Sequence, residues 1–263
     1  MVADLTNPLY PTLVQPIHDA LEGHGYRMVL LAERDEDHSG YAPLLDGTVD
    51  GVILTTTRRH SPLPFELARH AVPSVMLNRT SDVIDTDSVV ADNVAAGRIA
   101  TELLLVAGHR DIGFLAGPTE TSTGRDREAG VREAMANAAQ PWGLGRVVYG
   151  WFGHDAGNIG MRELMRASHP PRAVVCVSDS VAIGALNAAR GLGLRVPQDV
   201  ALVGIDDVPA AGWDICDLST VSLPLTEMAK EAANLLVDRL TGAQTGKPVH
   251  RVHPVAPIPR GTH

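Results

Sequence analysis

The strongest constraint on this chain is a series of short apolar runs, rich in β-branched residues, that recur with helical patterns between them. The runs are Met28–Ala32, Gly51–Leu54, Ser74–Leu77, Ile112–Ala116, Ala173–Val177 and Val200–Ile205. None alternates polar with apolar residues, which predicts strands buried on both faces, as in a parallel sheet covered by helices. Between them, Leu13, Ile17, Ala20 and Leu21 share one helical face ahead of Gly23 and Gly25. Ile99, Leu103 and Val106 do the same ahead of Gly108, as do Met228, Ala232, Leu235, Leu236 and Leu240 ahead of Gly242. Each pattern predicts an amphipathic helix stopped by glycine. Pro16 falls within the first and removes a backbone donor, so a late start or a kink is expected there.

Repeated strand and helix alternation implies an α/β fold of the doubly wound, parallel-sheet kind with right-handed crossovers. The chain holds about ten such alternations, more than one typical sheet carries, so two sheets are expected. A length of 263 residues fits, because single cores split before roughly 250 to 300 residues. The break is expected near Ala107-Gly108-His109, with Ser219–Pro224 as a second extended crossing.

Charge narrows the function. Twenty-two basic residues face 31 acidic ones, for a net charge of −9, and the only lysines are Lys230 and Lys247. Such a surface repels a phosphate backbone, so this chain alone is not expected to hold DNA or RNA. Cys176 and Cys216 form no CxxC pair and are expected to be reduced thiols of a cytoplasmic protein. No segment reaches the roughly 20 apolar residues of a membrane span. The opening run is broken by Asp4, Asn7 and Pro8, unlike a signal peptide.

Catalytic and cofactor motifs are not found. There is no GxxxxGK[ST], and both Gly143-Leu144-Gly145 and Gly191-Leu192-Gly193 lack the third glycine of a dinucleotide fingerprint. The 11 histidines are scattered without an HExxH, and no GxSxG elbow occurs. No cofactor, no metal and no enzymatic activity are expected. Ser178-Asp179-Ser180 stands where a helix N-cap is wanted, which makes capping the default role of Asp179. Asp206-Asp207 is either a turn or a ligand-binding acid, since open α/β sheets bind ligands beyond the carboxyl ends of their strands.

Polar and aromatic groups gather at such strand ends. Asn7, Leu9 and Tyr10 follow the expected first strand, and Thr55 follows Val52-Ile53-Leu54. Thr121, Thr123 and Arg127 follow the run ending at Ala116; Trp151 and Phe152 follow Val147-Val148-Tyr149; Ser178 and Asp206 end the next two runs. A site lined this way offers apolar faces and a few fixed hydrogen-bonding groups, which suits a small polar ligand.

Six segments, taken in order, resemble the effector-binding core of LacI/GalR-type transcriptional regulators. They are Asp4–Tyr10, Val49–Leu54, Asp92–Arg98, Gly108–Pro118, Ser178–Ala185 and Gly193–Asp207. The VPxDVxxxGxDD stretch followed by Leu218-Ser219-Thr220-Val221 favours regulators over exported sugar-binding proteins of transport systems, the alternative reading. The resemblance implies a type I periplasmic-binding-protein-like fold, two subdomains joined by three crossing segments around an effector cleft. The first would take residues 1–107 and 223–250, the second residues 108–222 and 251–263. It implies a homodimer that meets operator DNA only through a helix-turn-helix headpiece outside these residues. Carried over, it puts Leu9, Tyr10 and Thr55 on the ligand wall from the first subdomain. Thr123 and Arg127 start a helix of the second, Phe152 stacks on the ligand, Ser178 and Asp206 anchor it, and Leu223 and Leu225 flank the last crossing. A sugar is the first expectation for the effector, and a purine the second.

Overall fold

The computed structural model describes residues 7–31, 42–140 and 146–263. The expected strand ahead of Asn7, Ala32 at the end of the first run, and Gly143-Leu144-Gly145 lie outside the described residues. In chain order the elements are α1 (Leu9–Gly23), α2 (Ala42–Leu45), β1 (Val52–Leu54), α3 (Leu63–Arg69), β2 (Ser74–Leu77), β3 (Asp87–Ala91), α4 (Asn93–Val106), β4 (Ile112–Ala116), α5 (Ser122–Asn137), β5 (Val147–Tyr149), α6 (His154–Leu164), β6 (Ala173–Cys176), α7 (Asp179–Gly191), β7 (Ala201–Val203), β8 (Thr220–Ser222), α8 (Leu225–Thr241), β9 (His250–His253) and β10 (Ala256–Ile258). A short 3-10 turn occupies Pro209–Gly212. No helix among the described residues is long and apolar enough to cross a membrane.

The chain forms two compact units. The first holds the residues up to Ala91, Glu120–Ser122 and Pro224–His253; the second holds Asp92–Thr119, Thr123–Leu223 and Pro254–His263. This differs from the break expected at residues 107 and 108: α4 belongs to the second unit, where it packs against β7, β8 and β10. The glycine at 108 ends a helix rather than a domain.

In the first unit the sheet runs β1-β2-β3-β9, all parallel. Two of the continuous apolar runs become its strands β1 and β2, and in β2 Val75, Met76 and Leu77 are fully buried. α8 covers β1, β2 and β3 and packs against α1. A bidentate pair fixes α8 to the sheet, with Arg239 Nε and Nη2 donating to the two Asp87 carboxylate oxygens at 2.7 and 2.8 Å. The same carboxylate accepts the Val249 N–H at 2.7 Å and so starts β9.

Two expectations fail in this unit. Among the described residues Met28–Leu31 forms no strand, and β1 is the last strand of the sheet on its side. Val29 is 67% exposed. These residues instead line a mostly apolar cavity of about 320 Å³ with Leu13, Ile17, Val52 and Leu236. Pro16 neither delays nor ends α1, which starts at Leu9 and buries Leu9, Tyr10, Leu13, Ile17 and Leu21. Burying those five side chains at roughly 1.5 to 3 kcal/mol each outweighs one lost backbone bond.

The second unit has a parallel sheet in the order β5-β4-β6-β7 and an antiparallel β8-β10 pair. β4 and β6 are buried along their whole length. Asp92 caps α4, its Oδ1 accepting the Ala95 N–H at 2.9 Å. Where α4 crosses α5 the backbones nearly touch. A Cβ on Gly97 would lie 2.0 Å from the Arg127 carbonyl oxygen, and one on Gly130 would lie 1.9 Å from that of Val94. Rigid backbone cannot yield there as a side-chain tip would, so Gly97→Ala is expected to lower stability by at least about 2 kcal/mol in urea unfolding. An unchanged midpoint would show that α4 and α5 separate freely.

Candidate functional site

Four chain segments converge on the guanidinium of Arg127. From α5 it donates Nε to Asn93 Oδ1 at 2.8 Å, at the start of α4, and Nη1 to the Val177 carbonyl at 2.7 Å, just past β6. Nη2 stands 2.9 Å from Asp206 Oδ1, beyond the end of β7. Both side chains are buried, Arg127 at 2% exposure and Asp206 at 3%. The pair is close but imperfectly aligned, so that among the described residues Asp206 Oδ1 keeps acceptor capacity that no well-aligned donor fills. A buried carboxylate oxygen with spare acceptor capacity is costly unless something else supplies a donor.

Asp206-Asp207 is therefore more than an ordinary turn. Both residues have left-handed backbone, with φ of 130° and 58°, values uncommon for residues with a side chain. Asp207 is held by Arg260 Nη2 at 2.7 Å. Asp179 does not cap α7; Ser178 does, its Oγ accepting the Val181 N–H at 3.4 Å. Burial pushes the Asp179 carboxyl up to about 7, and the charge of Asp206 adds to the push. Burial also raises Asp206, against the pull of Arg127. Two buried carboxyls thus oppose each other's charge, and the Arg127 guanidinium is paired with one of them, Asp206.

Of the residues singled out from sequence, Arg127, Asp206 and Ser178 come together in this second unit. Thr123 is buried in the first turn of α5. Phe152 sits after β5, its ring edge over Gly117, where a Cβ would lie 2.9 Å from Cζ. Leu9, Tyr10, Thr55 and Leu225 belong to the first unit, and all four are buried. Tyr10 and Thr55 line the cavity beside α1. Leu225 is the first residue of α8, and Leu223 ends the second unit's segment before it.

Sequence reasoning missed three residues. Asn93, read only as part of a family segment, orients Arg127. Asn78 and Arg79, at the carboxyl end of β2, are both buried. Arg79 Nη1 donates to the Thr56 carbonyl, and Asn78, with φ of 71°, keeps Oδ1 without a hydrogen bond among the described residues. The available signal was position: polar residues immediately after an apolar run stand at a strand's carboxyl end, where α/β sheets bind ligands.

Known proteins agree with this architecture. Residues 101–263 match the periplasmic binding protein-like domain family. The chain is 38% identical over 249 residues to the HTH-type transcriptional regulator CelR of Thermobifida fusca, covering 93% of this chain and 73% of CelR. It is 36% identical over 213 residues to the HTH-type transcriptional repressor PurR of Salmonella paratyphi B, covering 78% of this chain and 61% of PurR. Among solved structures, a CelR-cellobiose complex superposes with a TM-score of 0.93 at 35% identity, over all of this chain and 83% of that one. With parallel sheets, a buried Arg-Asp pair beyond their strand ends and these relatives, the chain belongs to the LacI-type family of transcriptional regulators, of which it carries the periplasmic binding protein-like effector-binding core.

Proposed function

We propose that this core senses a small polar effector, a sugar in the first instance, and forms the homodimerisation part of a regulator that represses transcription. One observation carries the ligand reading: among the described residues, buried Asp206 Oδ1 is held by its ion pair with Arg127 and keeps acceptor capacity that no well-aligned donor fills. A ligand hydroxyl supplies a donor for Asp206, and Arg127 is a donor for ligand oxygens. The cellobiose bound by CelR is a molecule of that chemistry. Thr123, Phe152 and Ser178 accompany the pair, while Leu9, Tyr10, Thr55 and Leu225 are the contacts proposed from the first unit. DNA recognition is assigned to a helix-turn-helix beyond these residues, since the net charge of −9 opposes phosphate.

The effector acts by preferring one conformational state. It shifts the population by no more than its affinity difference between states. Calorimetric titration with cellobiose, ribose and purine bases is expected to show binding of at least one sugar. Asp206→Asn should weaken a hit at least about thirtyfold, the loss of one hydrogen bond to a charged group. A sugar that binds both proteins equally, or binding restricted to purines, would refute the assignment.

A further inference from the structure

One buried carboxyl beside the Arg127–Asp206 pair has no part in the ligand contacts proposed above. Asp179 is the first residue of α7 and is fully buried. Its Oδ2 accepts the Val208 N–H at 2.9 Å, and its Oδ1 accepts the Thr220 hydroxyl at 2.6 Å. Its own N–H donates to the Ile205 carbonyl at 2.7 Å. A single side chain therefore ties the start of α7 to the segment leaving β7 and to the first residue of β8. Room is left for it by Gly204, where a Cβ would lie 2.2 Å from Asp179 Oδ1.

The residues so tied enclose Asp206 and Asp207, the two with left-handed backbone. Asp206 N–H donates to the Val221 carbonyl at 2.9 Å on one side of the turn, and Asp207 is paired with Arg260. The Asp179 bond to Val208 closes the other end. The direction of the Asp206 side chain depends on its φ, because the Cα–Cβ bond turns with the backbone. If φ relaxed to the common negative range, the carboxylate would swing away from the Arg127 guanidinium.

We propose that Asp179 is a positioning residue for effector recognition: by accepting the Val208 N–H and the Thr220 hydroxyl, it holds the turn that aims the Asp206 carboxylate at Arg127. This rests on the reading that Arg127 and Asp206 face the effector. The two ideas separate experimentally, since the clamp has a readout that needs no ligand.

The experiment compares Asp179→Ala, Asp179→Asn and Thr220→Val by amide hydrogen exchange and by cellobiose titration well below each unfolding transition. Asp179→Ala is expected to speed exchange of the Val208 amide about a hundredfold relative to amides of β4. It should also weaken cellobiose binding at least about thirtyfold. Asparagine offers an oxygen to Val208 and an N–H to Thr220, so Asp179→Asn should keep both within about threefold. Thr220→Val, which removes one of the two bonds, should fall between them and decides the matter if the alanine protein does not fold. A folded Asp179→Ala or Thr220→Val protein with wild-type Val208 protection and affinity would overturn the proposal. So would an Asp179→Asn protein as impaired as the alanine one. If wild type binds no sugar, the effector reading fails, and Val208 protection alone still decides whether Asp179 clamps the turn.

Discussion

Arg127→Ala is expected to be the most destabilising single substitution at this site, costing roughly 3–5 kcal/mol in urea unfolding. The reason is the company that Arg127 keeps. Its removal leaves Asp206 buried without its cation, beside the buried Asp179 carboxyl whose charge already opposes it. It also takes one donor each from Asn93 Oδ1 and the Val177 carbonyl. Most of that cost is the penalty of an uncompensated buried charge, not the worth of the pair itself. The double substitution Arg127→Met with Asp206→Leu should therefore recover most of the lost stability, because two apolar side chains of similar volume need no partner. The same double variant should bind no sugar. Recovery of folding without recovery of binding assigns the pair to recognition; a double variant as unstable as Arg127→Ala would show that the pair is chiefly structural.

Much of the fold was legible because its signal is local. Ser74–Leu77, Ile112–Ala116 and Ala173–Cys176 became buried parallel strands, as continuous β-branched runs dictate. The run at Met28–Leu31 is equally apolar and forms no strand among the described residues. Composition states what a segment prefers, and pairing depends on a neighbour that periodicity does not reveal. The unit boundary failed for a related reason. A glycine such as Gly108 marks where a helix stops, yet which unit α4 joins is decided by its packing against β7, β8 and β10, all later in the chain.

Of the candidate site, one pairing was legible at the level of residue type. Arg127 and Asp206 stood out as charged residues after buried runs, and the structure pairs them. What sequence could not show was the support beneath them. Asp179 looked like a helix cap because it sits beside Ser178, and both residue types cap well. The structure gives the cap to Ser178 and spends Asp179 on Val208 and Thr220, 29 and 41 residues away. Long-range hydrogen bonds of this kind leave no periodic trace. The left-handed backbone at Asp206 is equally silent, since glycine is the usual marker of positive φ and none is present.

The buried Asp179 carboxyl also makes stability depend on pH in an unusual direction. Most carboxylates of a folded protein are paired and have lowered values, so stability is lost as pH falls. Asp179 is the reverse case: burial and the charge of Asp206 raise it from 3.8 to about 7. Between those values the folded chain holds a proton that the unfolded chain has released. The folded state therefore binds more protons, and the stability owed to this group falls as pH rises from about 4 to about 7. Above that range the penalty is constant, and below it both states are protonated and the penalty vanishes. Asparagine does not titrate, so Asp179→Asn should remove this slope. Relative to wild type, the variant should gain roughly 3 kcal/mol between pH 5 and pH 8, at about 1.4 kcal/mol per unit over the steep part. Urea unfolding of the two proteins at pH 5, 6, 7 and 8 measures the difference. A stability difference that stays constant across these four values would mean that Asp179 is ionised throughout, held by the Thr220 hydroxyl and the Val208 amide strongly enough to offset its burial.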